Sequence, residues 1–163
     1  MNFVKPAVMI AAGSLAALAV PAGASATSQT ARCVPVGATT ADDQFARFNA
    51  AWASGNPDTV TDLFSRDAVL LATVSNVPRT DRAGIRDYFV SFLKGKPVGT
   101  ITTSNVRQGC DMLVRTGTWT VALTNQNSGV RNNVKARYTF IYKMEDGAWK
   151  IAHLHSSMMP ISE

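Results

Sequence analysis

Residues 136–160, ARYTFIYKMEDGAWKIAHLHSSMMP, constrain the fold more than any other stretch of the chain. They hold two aromatic-rich runs joined by Met144-Glu145-Asp146-Gly147. Tyr138, Phe140 and Tyr142 alternate with Thr139, Ile141 and Lys143. After the joint, Trp149, Ile151, His153 and His155 alternate with Lys150, Ala152, Leu154 and Ser156. A period of two in β-branched and aromatic residues means strand. Asp-Gly at the joint means a hairpin. With a loop of Glu145-Asp146-Gly147, Gly147 takes the positive-φ place of a bulge. That register sets Tyr138, Phe140 and Tyr142 on one face with Ala152, Leu154 and Ser156. Ile141, Trp149, Ile151 and His153 then share the other face. Both faces are apolar, so both need cover: helices on one, another sheet or subunit on the other.

The preceding chain supplies the helices. Thr39 or Thr40 can cap a first helix with Asp42 and Asp43 in its first turn. Ala41, Phe45, Phe48 and Trp52 then fall on one face, and Ser54-Gly55 ends it. Asn56-Pro57 starts a second helix, with Asn as cap and Pro at the first helical position; Val60, Leu63 and Phe64 face inward. Asp67 to Thr73 reads as a short buried strand. Thr80 caps a third helix whose stripe is Ile85, Tyr88, Phe89, Phe92 and Leu93, closed by Gly95 and Pro97. From Gly99 onward ITTSNV, MLVRTGTWTVAL and VKARYTFIY are strand-like, with Gln126-Asn127-Ser128-Gly129 as a turn. Helices first and an antiparallel meander after is an α+β plan, with the sheet curled around the N-terminal helices to leave a cone-shaped cavity.

The chain of 163 residues is one domain's worth. Residues 1–26 read as a signal peptide: Lys5, an apolar run from Ala7 to Val20, and an Ala24-Ser25-Ala26 cleavage site. The run is too short to span a bilayer, which takes about 20 residues; the alternative is an uncleaved anchor. Residues 27–38 are an irregular lead-in, and 39–163 form the domain. The expected location is periplasmic or extracellular. Export makes Cys33 and Cys110 a disulfide, for which loop-entropy models allow roughly 4 kcal/mol; the alternative is two unrelated thiols. Net charge is +5, from scattered basic residues that form a solvated surface. No arginine-rich stripe or RNA-binding motif is present, which argues against nucleic acid.

The tail Asp146-Gly147-x-Trp149-x-Ile151-x-His153-x-His155-x-Ser157, followed by Pro160, resembles the end of the association (hub) domain of calcium/calmodulin-dependent protein kinase II and its bacterial stand-alone relatives. These are nuclear transport factor 2-like, with the polyketide-cyclase-like and ketosteroid-isomerase-like proteins. The resemblance runs from Ala41 to Pro160 and implies a cone-shaped, cystatin-like roll that pairs through its sheets. There is no kinase domain. Ketosteroid-isomerase-like members place a catalytic carboxylate on the strand after the second helix; Val69 to Thr73 here holds no acid. Asp67 reads as a cap or loop residue, and Asp111 belongs near a turn. Hub domains carry basic cavity residues; at the aligned positions this chain has Phe140 and Ser156, with Arg115, Arg131 and Arg137 as neighbouring cations.

No catalytic residue, metal site or cofactor is assigned. His153 and His155 could be a metal or acid–base pair, but a third ligand at suitable spacing is missing, and the register turns both away from the cavity toward an interface. Arg79, Arg82 and Arg86 could hold an anion or form a solvated face with Asp81 and Asp87. The expected ligand pocket is Trp119, Tyr138, Phe140, Leu154 and Ser156, suited to a small, mostly apolar ligand; the alternative is that these side chains fill the space. Ile141, Trp149, Ile151 and His153 are the expected interface of a homodimer or higher assembly. Two functions follow: an exported association and ligand-binding module, or, by fold analogy alone, a small-molecule isomerase, cyclase or hydrolase.

Overall fold

The computed structural model describes residues 39–160. Helix α1 (Thr39–Ala53), α2 (Pro57–Thr61), strand β1 (Phe64–Leu71) and α3 (Arg82–Phe92) precede a meander of β2 (Val98–Gln108), β3 (Met112–Thr124), β4 (Arg131–Glu145) and β5 (Ala148–Met158). The five strands form one sheet in the order β1-β5-β4-β3-β2. All neighbours are antiparallel except β1 and β5, which run parallel. This is the expected α+β roll: a curved, unclosed sheet with helices packed on its inner face.

Local chemistry accounts for the helix starts. Asn56 Oδ1 accepts from the backbone N–H groups of Asp58 and Thr59, at 2.9 and 3.4 Å, ahead of Pro57. Asp81, rather than Thr80, caps α3 by accepting from Gly84 N at 2.8 Å. Thr39 and Thr40 already lie within α1. The inner face of the sheet meets these helices as a continuous aromatic layer. The Phe48 ring sits 4.5 Å from Trp52 and 5.2 Å from Phe140, and Trp119 is 5.8 Å from both Trp52 and Phe140. Fully buried side chains of this size each contribute about 1.5–3 kcal/mol through lost water contact, so this layer holds the helices on the sheet.

The C-terminal hairpin differs from the expected register in one place. Its loop is two residues, with Asp146 at φ 51° and Gly147 at φ 76° and Glu145 paired with Ala148. Both central residues with positive φ are the signature of the tight turn that matches strand twist. The bulge lies instead within β5, where Tyr142 pairs with Ile151 and Ile141 with His153, leaving Ala152 as the extra residue. Leu154 and Ser156 therefore face inward beside Phe140 and Tyr138, as expected. Trp149 and Ile151 do not join the outer face. Ile151 is 2 % exposed within the core, and Trp149 packs against it.

Candidate functional site

Two surfaces of the roll have the composition of a site. The first is a small well of about 30 Å³ between α1, α3 and the inner face of the sheet. Trp119, Leu154 and Ser156 line it. Tyr138 and Phe140 are buried farther along the same face, in its filled part under α1. The remaining walls include Trp52, Tyr88, Phe92 and Thr73, which the sequence pattern marks only as helix stripes or a strand end. Their apolar spacing pointed them inward, but nothing local says whether an inward ring fills space or bounds it.

The floor of the well has a hydroxyl cluster. Thr73 Oγ1 donates to Ser156 Oγ, which also accepts from Trp119 Nε1 at 3.1 Å. Tyr88 stands on the α3 side, its phenol pKa raised well above the ordinary range by burial. Trp52 is 4 % exposed, and its indole N–H has no acceptor among the described residues.

The candidate ionisable groups lie elsewhere. Arg115 enters the inner face from β3, and its guanidinium is already engaged by the start of α1. It donates to Ser104 Oγ at 2.9 Å and to Ala41 O at 3.0 Å, and it pairs with Asp42 at 2.8 Å. It also lies 5.6 Å over the Phe45 ring. Arg82 pairs with Asp62, and Arg86 reaches both carboxylate oxygens of Asp58, so these two tie α3 to α2. The Arg86 hydrogen bond holds the Asp58 carboxyl below its usual range. Arg79 donates to Val77 O, while Arg131 and Arg137 are exposed. Asp67 lies within β1 rather than in a loop. It is exposed and bonded by Lys143 at 2.5 Å, which lowers its pKa. Asp111 is exposed in the β2–β3 connection. Among the described residues, no group of three His, Cys, Asp or Glu gathers to hold a metal ion, and no helix is long and apolar enough to cross a membrane.

The second surface is the outer face of the sheet. Half-exposed Val69 and Leu71 from β1, Ile141 from β4 and Val114 from β3 form an apolar strip across it. His153 sits in the strip between Val69 and Ile141, and His155 lies next along β5, between Leu71 and Thr139. Burial, then the neighbouring His155, lowers the His153 pKa from 6.5. Cys110 is exposed beside Asp111, while Cys33 and the signal-like stretch lie outside the described residues.

The family model for the calcium/calmodulin dependent protein kinase II association domain matches residues 43–160. The chain belongs to this association-domain family. Among solved structures, this association domain is 45% identical to a candidate association domain of the same kind from Xanthomonas campestris. That match has a TM-score of 0.74 and covers 77% of this chain and 89% of that one. A nuclear transport factor 2-like protein from Salmonella enterica matches with 12% identity and a TM-score of 0.66, covering 77% and 92% of the two chains. A protein with a cystatin-like fold from Caulobacter vibrioides matches with 17% identity and a TM-score of 0.61, covering 74% and 87%. The last two show the fold of the association domain and nothing of its activity. No curated protein matches the chain.

Proposed function

We propose that the protein is an exported association module that pairs with a second copy through the outer face of its sheet and holds a small, mostly apolar molecule in its well. The observation that carries the reading is the strip of Val69, Leu71, Val114 and Ile141 on a face over which, among the described residues, no helix packs. An antiparallel sheet with helices on one side usually turns polar residues to water on the other. A two-fold contact lets one apolar strip cover itself. Membership of an association-domain family points the same way, since the similar Xanthomonas campestris protein is described by that name. Ile141 and His153 belong to this interface, while Trp149 and Ile151 support it from the core side. A holding role is favoured over proton transfer because the well is lined by rings, aliphatic groups and hydroxyls, with both histidines on the opposite face. Export rests on the leader-like residues 1–26, with removal after Ala26 and a Cys33–Cys110 disulfide in the mature chain.

Sedimentation velocity tests the pairing. Ile141→Asp puts a charge into the middle of the strip, where burial without a partner is costly. Wild type is expected to sediment as a dimer and the variant as a folded monomer. A wild type that stays monomeric at high concentration overturns the reading.

A further inference from the structure

We propose that the well beneath α3 takes an uncharged aromatic molecule carrying one hydrogen-bond acceptor, of the aryl ketone kind, and that the Trp52 indole N–H is the donor that receives it. This rests on the reading of the well as a ligand pocket and gives that pocket a ligand class. Trp52 lines the well and also a groove beside Leu93, Lys96 and Pro97, is 4 % exposed, and its Nε1 is buried with no acceptor among the described residues. Buried donors are nearly always satisfied in native proteins, because leaving one unpaired forfeits its bond to water. Trp119 on the adjoining wall shows the ordinary case, its N–H bonded to Ser156. A guest with an acceptor would complete the set.

The lining also excludes charge. Its polar atoms belong to Thr73, Tyr88, Ser156 and the two indoles, none of them ionised. Arg115, the buried cation among the described residues, does not line the well and is taken up by Ala41, Asp42 and Ser104. A carboxylate or ammonium group in the well would lose its water without gaining a partner. The walls offer ring edges and faces suited to a planar guest. Around the Phe92 ring, Trp52 stands 5.2 Å away at 64° and Tyr88 is stacked at 5.2 Å, contacts that a guest in its place would take over.

Phe92 borders the well and two adjoining grooves. Phe92, Leu123 and Val134 bound both the well and an adjoining groove of about 550 Å³, which Asn125, Gln126 and Asn127 also line. At about 30 Å³ the well has room for little more than a water, so the guest occupies the place of the half-buried Phe92 ring. The other buried group without a partner among the described residues, the Tyr142 hydroxyl, lines neither space.

Calorimetry and ligand-observed NMR on the purified protein test this with three probes: propiophenone, propylbenzene and phenylacetate. Propiophenone is expected to bind most tightly, propylbenzene about tenfold more weakly for want of the one hydrogen bond, and phenylacetate not at all. Trp52→Phe keeps a ring in place and is expected to bring propiophenone down to the level of propylbenzene. In wild type, the Trp52 Nε1–H resonance should move downfield with propiophenone and not with propylbenzene, a readout that does not depend on the variant folding. Equal binding of the two neutral probes, an undiminished preference in Trp52→Phe, or preferential binding of phenylacetate overturns the inference and leaves the pocket standing. If none of the probes binds, the pocket reading falls with it.

Discussion

Phe140→Ala tests the packing on which both surfaces depend. Phe140 has no exposed surface and is enclosed by rings on all sides. Phe48 lies 5.2 Å away, Tyr142 5.5 Å, Tyr138 5.7 Å, Trp119 5.8 Å and Phe45 6.2 Å, centroid to centroid. Truncation removes the transfer energy of the ring and leaves a cavity, together about 3–5 kcal/mol for a buried Phe. The upper part of that range applies here. The neighbours are rigid rings anchored on one helix and two hydrogen-bonded strands, so they cannot close over the space. A domain of this size has about 5–15 kcal/mol of total stability, so the variant should remain folded only in mild conditions. The assay is urea unfolding at one fixed protein concentration, because pairing makes apparent stability concentration-dependent. The midpoint should fall with the slope unchanged. Thr139→Ala, one residue away on the outer face, should stay within about 0.5 kcal/mol of wild type. A loss below about 1 kcal/mol for Phe140→Ala, or a larger loss for Thr139→Ala, would refute the inward assignment of Phe140.

Three further outcomes are expected. A Cβ on Gly117 would lie 2.0 Å from the backbone oxygen of Thr103, to which the Tyr138 hydroxyl donates at 3.0 Å. Gly117→Ala should therefore cost about 1–3 kcal/mol or more by forcing β2 away, and an unchanged melting temperature would contradict this close approach. Burial lowers the His153 pKa below 6.5, so the unfolded chain takes up its proton first. The stability His153 contributes is whole above pH 6.5 and is lost as the pH falls through the lower folded value. Thermal melts from pH 7.5 to 5 should show the fall, and a His153→Gln variant with the same pH profile would contradict it. Thiol counting on unfolded, unreduced mature protein should find no free thiol at Cys33 or Cys110, and its N-terminal residue should be Thr27; two free thiols or a retained Lys5 would refute the disulfide or the cleavage.

The sequence alone determined the order of elements, the helix start at Asn56-Pro57, the alternation of Tyr138, Phe140 and Tyr142, and the association-domain tail. Each is written within a few residues: a side chain that caps a neighbouring amide, a period of two, or a turn dipeptide. Tertiary structure decided where the bulge falls. The Asp146-Gly147 turn favours a two-residue loop, which places Ile151 inward beside Tyr142. The same core needs Leu154 and Ser156 inward beside Phe140 and Tyr138. Ile151 and Leu154 are three apart, so both can face in only if β5 absorbs one residue, and the small Ala152 is the one that does. That choice moved Ile151 and Trp149 from the expected interface to the core. It left Ile141 and His153 outside, with Val69, Leu71 and Val114 brought alongside by strand pairing. The well was illegible for a related reason. Trp52, Tyr88 and Phe92 lie 64 or more positions from Ser156, and only the packing of α1 and α3 across the curved sheet determines which inward rings touch and which leave a space.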